Sequence, residues 1–546
     1  MTRAKEYRVF GPPGTGKTTY LTQQIQLAAE KHGIENIMVA SFTKTAAQEL
    51  VGRNADAAES IGTLHSHCYR AIGFGEIAET KIDEFNKEFP HFRLSAESGA
   101  VSVEDNAFEA GPIQKTLGDE LFHRMNVLRA RMVPIDIWPQ NVKLFHSAWQ
   151  TFKTACNLID FTDMIEIAYR NVDAAPGSPK IGFFDEAQDF TPLELALIRK
   201  WGKNMEYIVI TGDDDQLLYS WLGASTDVFL EGEPDIKKVL SQSYRVPKAV
   251  HAYAEKWVSQ IKHREPKEYK PRNFDGEVRR LEDGAYNNPD AIIRDMEQYL
   301  NQDKRIMILA SCSYMLTGII AQLKKHGILF YNPYRVKQGQ WNPIRLNAGE
   351  GKISTAQRLL AYLIPCSEVS PENRLWTFDE FKQWVEIVRA KDNLRKGAKK
   401  QLDGMGSSLF EVTITDIYEV FEEESSFWQA FNNFDLDTAL DWLKDNAQPA
   451  KAKALEFPAA VMRKERKYDC LSRKPNVIVG TIHSVKGGEA EVVYLMPDLS
   501  VAGMQEYVKG GEGRDAVNRM FYVGITRAKE TLVLCQPASN FAVRWI

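Results

Sequence analysis

The sequence has little of what ties a chain to a particular environment. Its six cysteines, Cys68, Cys156, Cys312, Cys366, Cys470 and Cys535, are scattered, and no two stand in a C-x-x-C pair. That spacing gives neither a zinc site nor a disulfide framework. No apolar run approaches the roughly 20 residues that cross a bilayer. Residues Met1 to Glu6 lead straight into an apolar segment, with no signal-peptide pattern. The expectation is a cytoplasmic chain with no structural metal and no membrane partner. Basic charge is not in excess either: 68 Lys and Arg stand against 73 Asp and Glu, a net charge of -5. That excludes a surface basic all over and still allows a local nucleic-acid groove. No internal repeat of fixed period is present.

What is present begins near the N-terminus. A length of 546 residues is enough for about three or four domains, each with its own core. Gly11-Pro12-Pro13-Gly14-Thr15-Gly16-Lys17-Thr18-Thr19 follows an apolar run, Tyr7 to Phe10, and precedes a helical stretch, Tyr20 to Lys31. Strand, glycine loop and helix are the context a P-loop requires. Glycines let backbone N–H groups wrap a triphosphate without side chains in the way. Lys17 is placed to reach the β- and γ-phosphates, and the Thr18 hydroxyl to hold Mg²⁺. The helix N-terminus adds its positive pole.

Farther along, Asn36 to Ala40 reads as a buried strand and Ile61 to His67 as a strand edge with a polar tip. Alternating strands and helices predict a parallel sheet with its ligand at the carboxyl ends. From residue 73 to 156 the pattern becomes loop-rich and then helical (Asp119 to Arg131, Asn141 to Ala155), as in an insertion. The sheet resumes at Ile181 to Glu186 and Tyr207 to Asp213. A second α/β region opens near Leu240, with strands at Glu277 to Leu281 and Arg305 to Ala310 and helices at Asp290 to Asn301 and Tyr314 to His326. Its closing strands come at Val477 to Thr481, Glu491 to Met496 and Thr531 to Cys535. Between them lies a second, mainly helical insertion, with helices at Phe378 to Ala390 and Leu436 to Asn446. Arg395 to Ser408, glycine-rich and basic, reads as an exposed linker.

Two acidic motifs end strands of the first region. Asp185-Glu186-Ala187-Gln188-Asp189 has the position of a Walker B motif, with Asp185 as the Mg²⁺ ligand and Glu186 as the group that orients and deprotonates water. Asp213-Asp214-Asp215-Gln216 leads into Tyr219 and Trp221. Gln216 could sense a γ-phosphate, and the two aromatics could stack on bases, although a Trp and a Tyr in such a run more often fill a core. The basic residues from Lys451 to Lys474 could face duplex phosphates or form a solvated helix balanced by Glu422 to Glu424.

These motifs occur in order with Ala40 to Ala47, Thr63 to Ser66, Gln242-Ser243-Tyr244-Arg245, Thr481 to Glu489 and Tyr522 to Ala528. Together they resemble the motif series of superfamily 1A DNA helicases, the UvrD/Rep/PcrA group. The resemblance implies two RecA-like parallel-sheet motor domains, each interrupted by a mainly helical insertion. Residues 1–72 and 157–240 would form the first and 241–334 with 476–546 the second, with insertions at 73–156 and 335–475. ATP would sit in the cleft, with Tyr244 on the adenine, Glu489 on the ribose and Arg245 and Arg527 as arginine fingers. Phe42, His65, Tyr219, Trp221 and His483 would line the DNA track. By itself His65 or His483 would read as a structural histidine.

The family's adenine-reading glutamine segment has no counterpart in residues 1–10, so relaxed nucleotide selectivity is expected. Gly488 and Ala490 replace a leucine and an aromatic residue. The expected end soon after the last motif leaves no fused nuclease. The implied activity is ATP-driven 3′ to 5′ movement on single-stranded DNA and at single/double-strand junctions. A translocase that remodels protein–DNA complexes and an ATP-switched recruitment factor are the rivals.

Overall fold

Strands such as Ile37–Ser41 and Ile181–Asp185 are buried along their whole length and end in a polar residue, the pattern of a parallel sheet covered on both faces. The structure, a computed structural model, describes residues 5–41, 60–73, 75–95, 116–335, 339–346, 352–366, 374–404 and 410–546. It divides into two units, one of residues 1–286, 307–316 and 480–546 and the other of residues 287–306 and 317–479. The first unit thus holds the first motor sheet, four strands of the second and the first insertion. The second holds the second insertion together with helices Pro289–Leu300 and Thr317–Lys325, which the sequence placed in the second motor domain.

In the first unit, strands β1 (Lys5–Phe10), β2 (Ile37–Ser41), β3 (Ile61–Thr63), β4 (Ile181–Asp185), β5 (Tyr207–Gly212) and β6 (Ile236–Val239) form one sheet in the order β3-β2-β4-β5-β1-β6. Its pairings are parallel. That order puts β1 beside β5 and β4 beside β2, so the loop after β1 and the acidic ends of β4 and β5 open on the same edge. A small parallel pair follows, β7 (Gln242–Pro247) with β8 (Lys270–Arg272). The part of the second sheet that lies in this unit runs β9 (Glu277–Leu281), β12 (Ala528–Cys535), β11 (Ala490–Leu495), β10 (Ile306–Ala310, of which 307–310 lie in this unit).

The first insertion packs helices Leu117–Ala130 and Gln140–Cys156 around Phe85, Phe122, Phe145 and Trp149. One edge of this core is ionic. Arg129 bonds Asp160 at 2.8 Å, Asp163 at 2.6 Å and Glu166 at 3.1 Å. Lys153 bonds Asp160 at 2.6 Å and also pairs with Asp163. The Trp149 indole donates to the same Asp160 carboxylate at 2.9 Å.

The second unit is built on rings. Trp376, Trp384, Tyr362, Phe421, Phe427 and Trp442 pack edge-on, tilted or stacked, with Phe421 and Phe427 centroids 4.0 Å apart. Two of its helices start on side-chain caps, Ser354 with Gln357 and Thr377 with Glu380, whose oxygens accept from N–H groups that lack a helical partner.

Two expectations are corrected here. Residues 395–404, though largely exposed, are not an irregular linker: Ala398–Gly404 is a helix that buries Ala398 and Leu402, and Lys399 donates to the carbonyls of Glu386 and Val388. Residues 405–408 lie outside the described residues. The basic stretch is balanced by nearer acids than Glu422 to Glu424, with Arg463 and Arg466 on Asp437 and Asp441, and Arg473 on Asp469.

The two kinds of ion pair predict different costs. Arg129→Met strands buried carboxylates and should cost about 3–5 kcal/mol. Arg473→Ala breaks an exposed pair and should cost under about 1 kcal/mol. Urea unfolding followed by tryptophan fluorescence checks both, and comparable losses would refute the assignment.

Candidate functional site

The phosphate loop takes its shape from two glycines in the left-handed region, Gly14 (φ 73°) and Gly16 (φ 77°). At Gly14 a Cβ would also lie 2.4 Å from Arg245 Cβ, so only glycine fits. Gly11 N–H donates to Gly212 O at 3.1 Å, tying the loop to the end of β5. Thr15 Oγ1 donates to Pro12 O at 2.8 Å. Lys17 opens the helix Lys17–His32 and donates to Gly11 O at 2.7 Å. Thr18 and Thr19 occupy the first turn of that helix.

Asp185 ends β4, buried, with one carboxylate oxygen accepting from Thr211 Oγ1 at 2.6 Å and from Glu186 N–H at 3.0 Å. Burial, with the Glu186 charge beside it, pushes its pKa up to about 6. Glu186, in the left-handed region at φ 53°, is moved the other way. Burial opposes its ionisation, but the ammonium groups of Lys486 and Lys17 outweigh it and depress the pKa to about 2. Gln188 Nε2 donates to Glu186 Oε2 at 2.6 Å, and Gln188 Oε1 accepts from Asp213 N–H at 3.0 Å.

Gln216 is the junction between the two sheets. Its Nε2 donates to Asp213 at 2.7 Å and its Oε1 accepts from Arg527 Nη2 at 3.1 Å. Arg527, 1% exposed, also donates to Gly488 O at 3.1 Å. Arg245 Nε donates to Glu489 at 2.7 Å. Tyr244, 71% exposed, lies over the loop, its N–H donating to Gly14 O at 2.8 Å. Ser243 Oγ and Tyr269 OH both donate to Pro13 O.

Asp213, Asp214 and Asp215 bring carboxylates close enough to hold a cation, and the cation there is Lys267. Its ammonium contacts all three. Arg264 adds a two-bond contact to Asp215 at 2.8 and 2.6 Å, and Arg519 Nε donates to Asp214 O at 2.9 Å.

Among the expected DNA-track residues, Tyr219, Trp221 and His483 form one cluster, with centroid separations of 6.1 and 6.3 Å from Tyr219. Tyr219 is only 3% exposed and His483 7%, so neither offers an open ring face in this conformation. His65 stands elsewhere, 3.8 Å from Glu194 and edge-on to Phe161. Phe42 lies outside the described residues. Sequence reasoning assigned no role to Thr211, Gln188, Lys267, Tyr269 or Lys486. Gln188 and Lys486 fall inside motifs already singled out, which was the available signal. Lys267 and Tyr269 sit in a charged run, His263 to Lys270, that carries none.

A parallel sheet bearing a phosphate loop and acidic strand ends, met by arginines from the chain of a second parallel sheet, defines a P-loop nucleoside triphosphatase of two RecA-like domains. Residues 2–237 match the UvrD/REP helicase N-terminal domain and residues 419–538 the UvrD-like helicase C-terminal domain. The chain is 22% identical to the ATP-dependent DNA helicase PcrA of Staphylococcus aureus (strain MRSA252), over 97% of this chain and 81% of that protein. It is 23% identical to the PcrA of Bacillus subtilis (strain 168), over 95% and 79%. A probable DNA helicase II homolog of Mycoplasma capricolum is 23% identical over 50% of this chain and 41% of its own length. The chain belongs to the UvrD/Rep/PcrA-like DNA helicases of superfamily 1. Among the described residues no helix is long and apolar enough to cross a membrane.

The acidic cluster gives a pH-dependent prediction. Burial pushes Asp214 from 3.8 up to about 6, against the opposing pull of Lys267. Folded Asp214 therefore holds a proton at pH values where the unfolded chain has lost it, and its contribution to stability grows as pH falls from about 6 toward 4. Lys267→Met removes the cation and should cost about 3–5 kcal/mol near neutral pH. The cost should shrink near pH 5.5, where Asp214 takes up a proton instead. Urea midpoints at the two pH values test this, and an equal cost at both would count against it.

Proposed function

We propose that this helicase hydrolyses ATP between its two RecA-like domains and uses the cycle to move along single-stranded DNA, 3′ to 5′, separating strands at single/double-strand junctions in the cytoplasm. The observation that carries the reading is the Gln216–Arg527 bond at 3.1 Å. It joins the loop after β5 to the chain just before β12, so a change at the γ-phosphate would be felt by both sheets. In this reading the backbone from Gly11 to Thr19 wraps the phosphates, Tyr244 lies on the adenine and Glu489 meets the ribose.

Thr18 and Asp185 would hold Mg²⁺. The chemistry fits, because a buried carboxyl pushed up to about 6 is one that a divalent cation returns to its ionised form. When bound, the ion neutralises charge on the β- and γ-oxygens. Glu186 orients the attacking water and accepts its proton. Arg245 and Arg527 leave Glu489 and Gln216 to stabilise charge on the transferring phosphoryl group. The strand passes over the cluster of Tyr219, Trp221 and His483, with Phe42 and His65 contributing on the first domain. Base stacking of this kind tolerates any sequence, which a translocase needs. Tyr219 must first be uncovered.

Lys17→Ala and Glu186→Gln should each lower ATP turnover by about 10²-fold or more while fluorescence anisotropy still registers binding of a single-stranded oligonucleotide. Wild-type turnover in either variant would remove the site assignment. Strand displacement on 3′-tailed and 5′-tailed duplexes sets the polarity. ATP hydrolysis with no displacement on either would favour a translocase that remodels protein–DNA complexes. No hydrolysis at saturating single strand would favour a recruitment factor.

A further inference from the structure

Lys486 stands at the middle of the Thr481 to Glu489 loop, whose two ends face different tasks. At the start, His483 rests edge-on to Tyr219. At the end, Glu489 accepts from Arg245. Between them the Lys486 ammonium pairs with Asp189 and lies 3.3 Å from Glu186 Oε2. The Tyr219 ring is 5.6 Å away, within reach of a cation–π contact.

Asp189 is fully buried and therefore needs a cation. Its other oxygen accepts from Leu218 N–H at 3.1 Å, one residue from Tyr219. One carboxylate thus joins the base, the loop and the aromatic cluster. On the Glu186 side, the oxygen facing Lys486 already accepts from Gln188 at 2.6 Å. An oxygen engaged by both an ammonium and an amide is poorly placed to take a proton from water. The loop has the means to move. Gly487 is left-handed at φ 87° with open space where a Cβ would be, and Gly488 follows it.

We propose that Lys486 is a positioning residue that exchanges partners, its ammonium holding Glu186 and Asp189 without nucleic acid and passing to a strand phosphate when DNA meets Tyr219 and His483. This rests on the reading above in one respect, that a single strand approaches over that cluster. Released, Glu186 takes the proton of the attacking water as its oxygen bonds to the γ-phosphorus. The bond from phosphorus to the bridging oxygen breaks, and ADP carries that electron pair away. DNA stimulation of hydrolysis is then the removal of a restraint on Glu186.

The test compares ATP hydrolysis without DNA and with a saturating deoxythymidine oligonucleotide in wild type, in Lys486→Met combined with Asp189→Asn, in Lys486→Gln combined with Asp189→Asn and in Lys486→Arg. The first double variant strands no buried charge, and Lys486→Gln combined with Asp189→Asn stands in if it fails to fold. DNA-free hydrolysis should rise roughly tenfold in the variants lacking the ammonium, the scale of one charge-assisted hydrogen bond. The DNA-stimulated rate should stay close to wild type, so that the stimulation ratio falls, while Lys486→Arg should keep the wild-type ratio. Structural damage cannot produce a faster DNA-free rate. Wild type stimulated by DNA, with the same ratio in the variants, overturns this inference alone. A DNA-free rate that falls instead places Lys486 on the nucleotide and overturns it too. A wild type indifferent to the oligonucleotide removes the strand reading and this inference together.

Discussion

Carboxylates buried at the ends of two neighbouring strands must each find a cation, and this chain finds them far away in sequence. Asp189 follows β4, and Asp213, Asp214 and Asp215 follow β5, all essentially inaccessible. Their partners are Lys486, Lys267 and Arg264, every one of them beyond residue 240. Left unpaired, each would carry a desolvation penalty of several kcal/mol. The first sheet therefore cannot complete its own interior. The chain that follows β6 supplies the missing charge, and Ser243, Tyr244 and Tyr269 add hydrogen bonds to the phosphate loop itself. Contacts that satisfy the fold and contacts that assemble the nucleotide site are largely the same ones.

The same economy shapes the reactive groups. Asp185 and Glu186 are adjacent, yet burial with a neighbouring charge lifts the first while Lys486 and Lys17 depress the second. Neighbouring carboxyls driven apart in this way suit different tasks, one for a metal and one for a proton. The cations near them are already engaged: Lys17 on Gly11 O, Arg245 on Glu489, Arg527 on Gln216 and Gly488 O. A triphosphate bound there would have to compete with those acceptors, which ties its binding to the loops that hold them.

How much of this could be read beforehand follows from sequence distance. The strands were plain because doubly covered parallel strands are short apolar runs, as in Ile181–Asp185 and Ile306–Ala310. The motif residues were plain because phosphate binding and water activation demand fixed residue types at short, rigid spacing. Helix ends were less so. The helix expected to reach Ala390 stops at Val385, and Val388 instead bridges to Ala447, a tertiary contact that no local pattern announces. Lys399 shows the same limit, since a lysine in a glycine-rich run looks solvated until the carbonyls it caps are known. Lys267 lies in a stretch of alternating charge indistinguishable from a surface loop. Tyr219 was expected on a track for bases and is enclosed, because its ring serves His483 and Lys486 first.

The loop after Val477–Thr481 explains why charge and aromatic contacts end up coupled. His483, Lys486 and Glu489 are three residues apart, and the first of them opens a 3₁₀ turn, His483–Val485. A period of three would stack such side chains on one face, sending all three to the same place. Gly487 prevents that. Its left-handed φ turns the backbone immediately after Lys486, so that Glu489 leaves toward Arg245 while His483 stays against Tyr219. A residue with a Cβ would be strained at that φ. The separation of the aromatic contact from the ion pair on one short loop therefore depends on this glycine as much as on the side chains that make them.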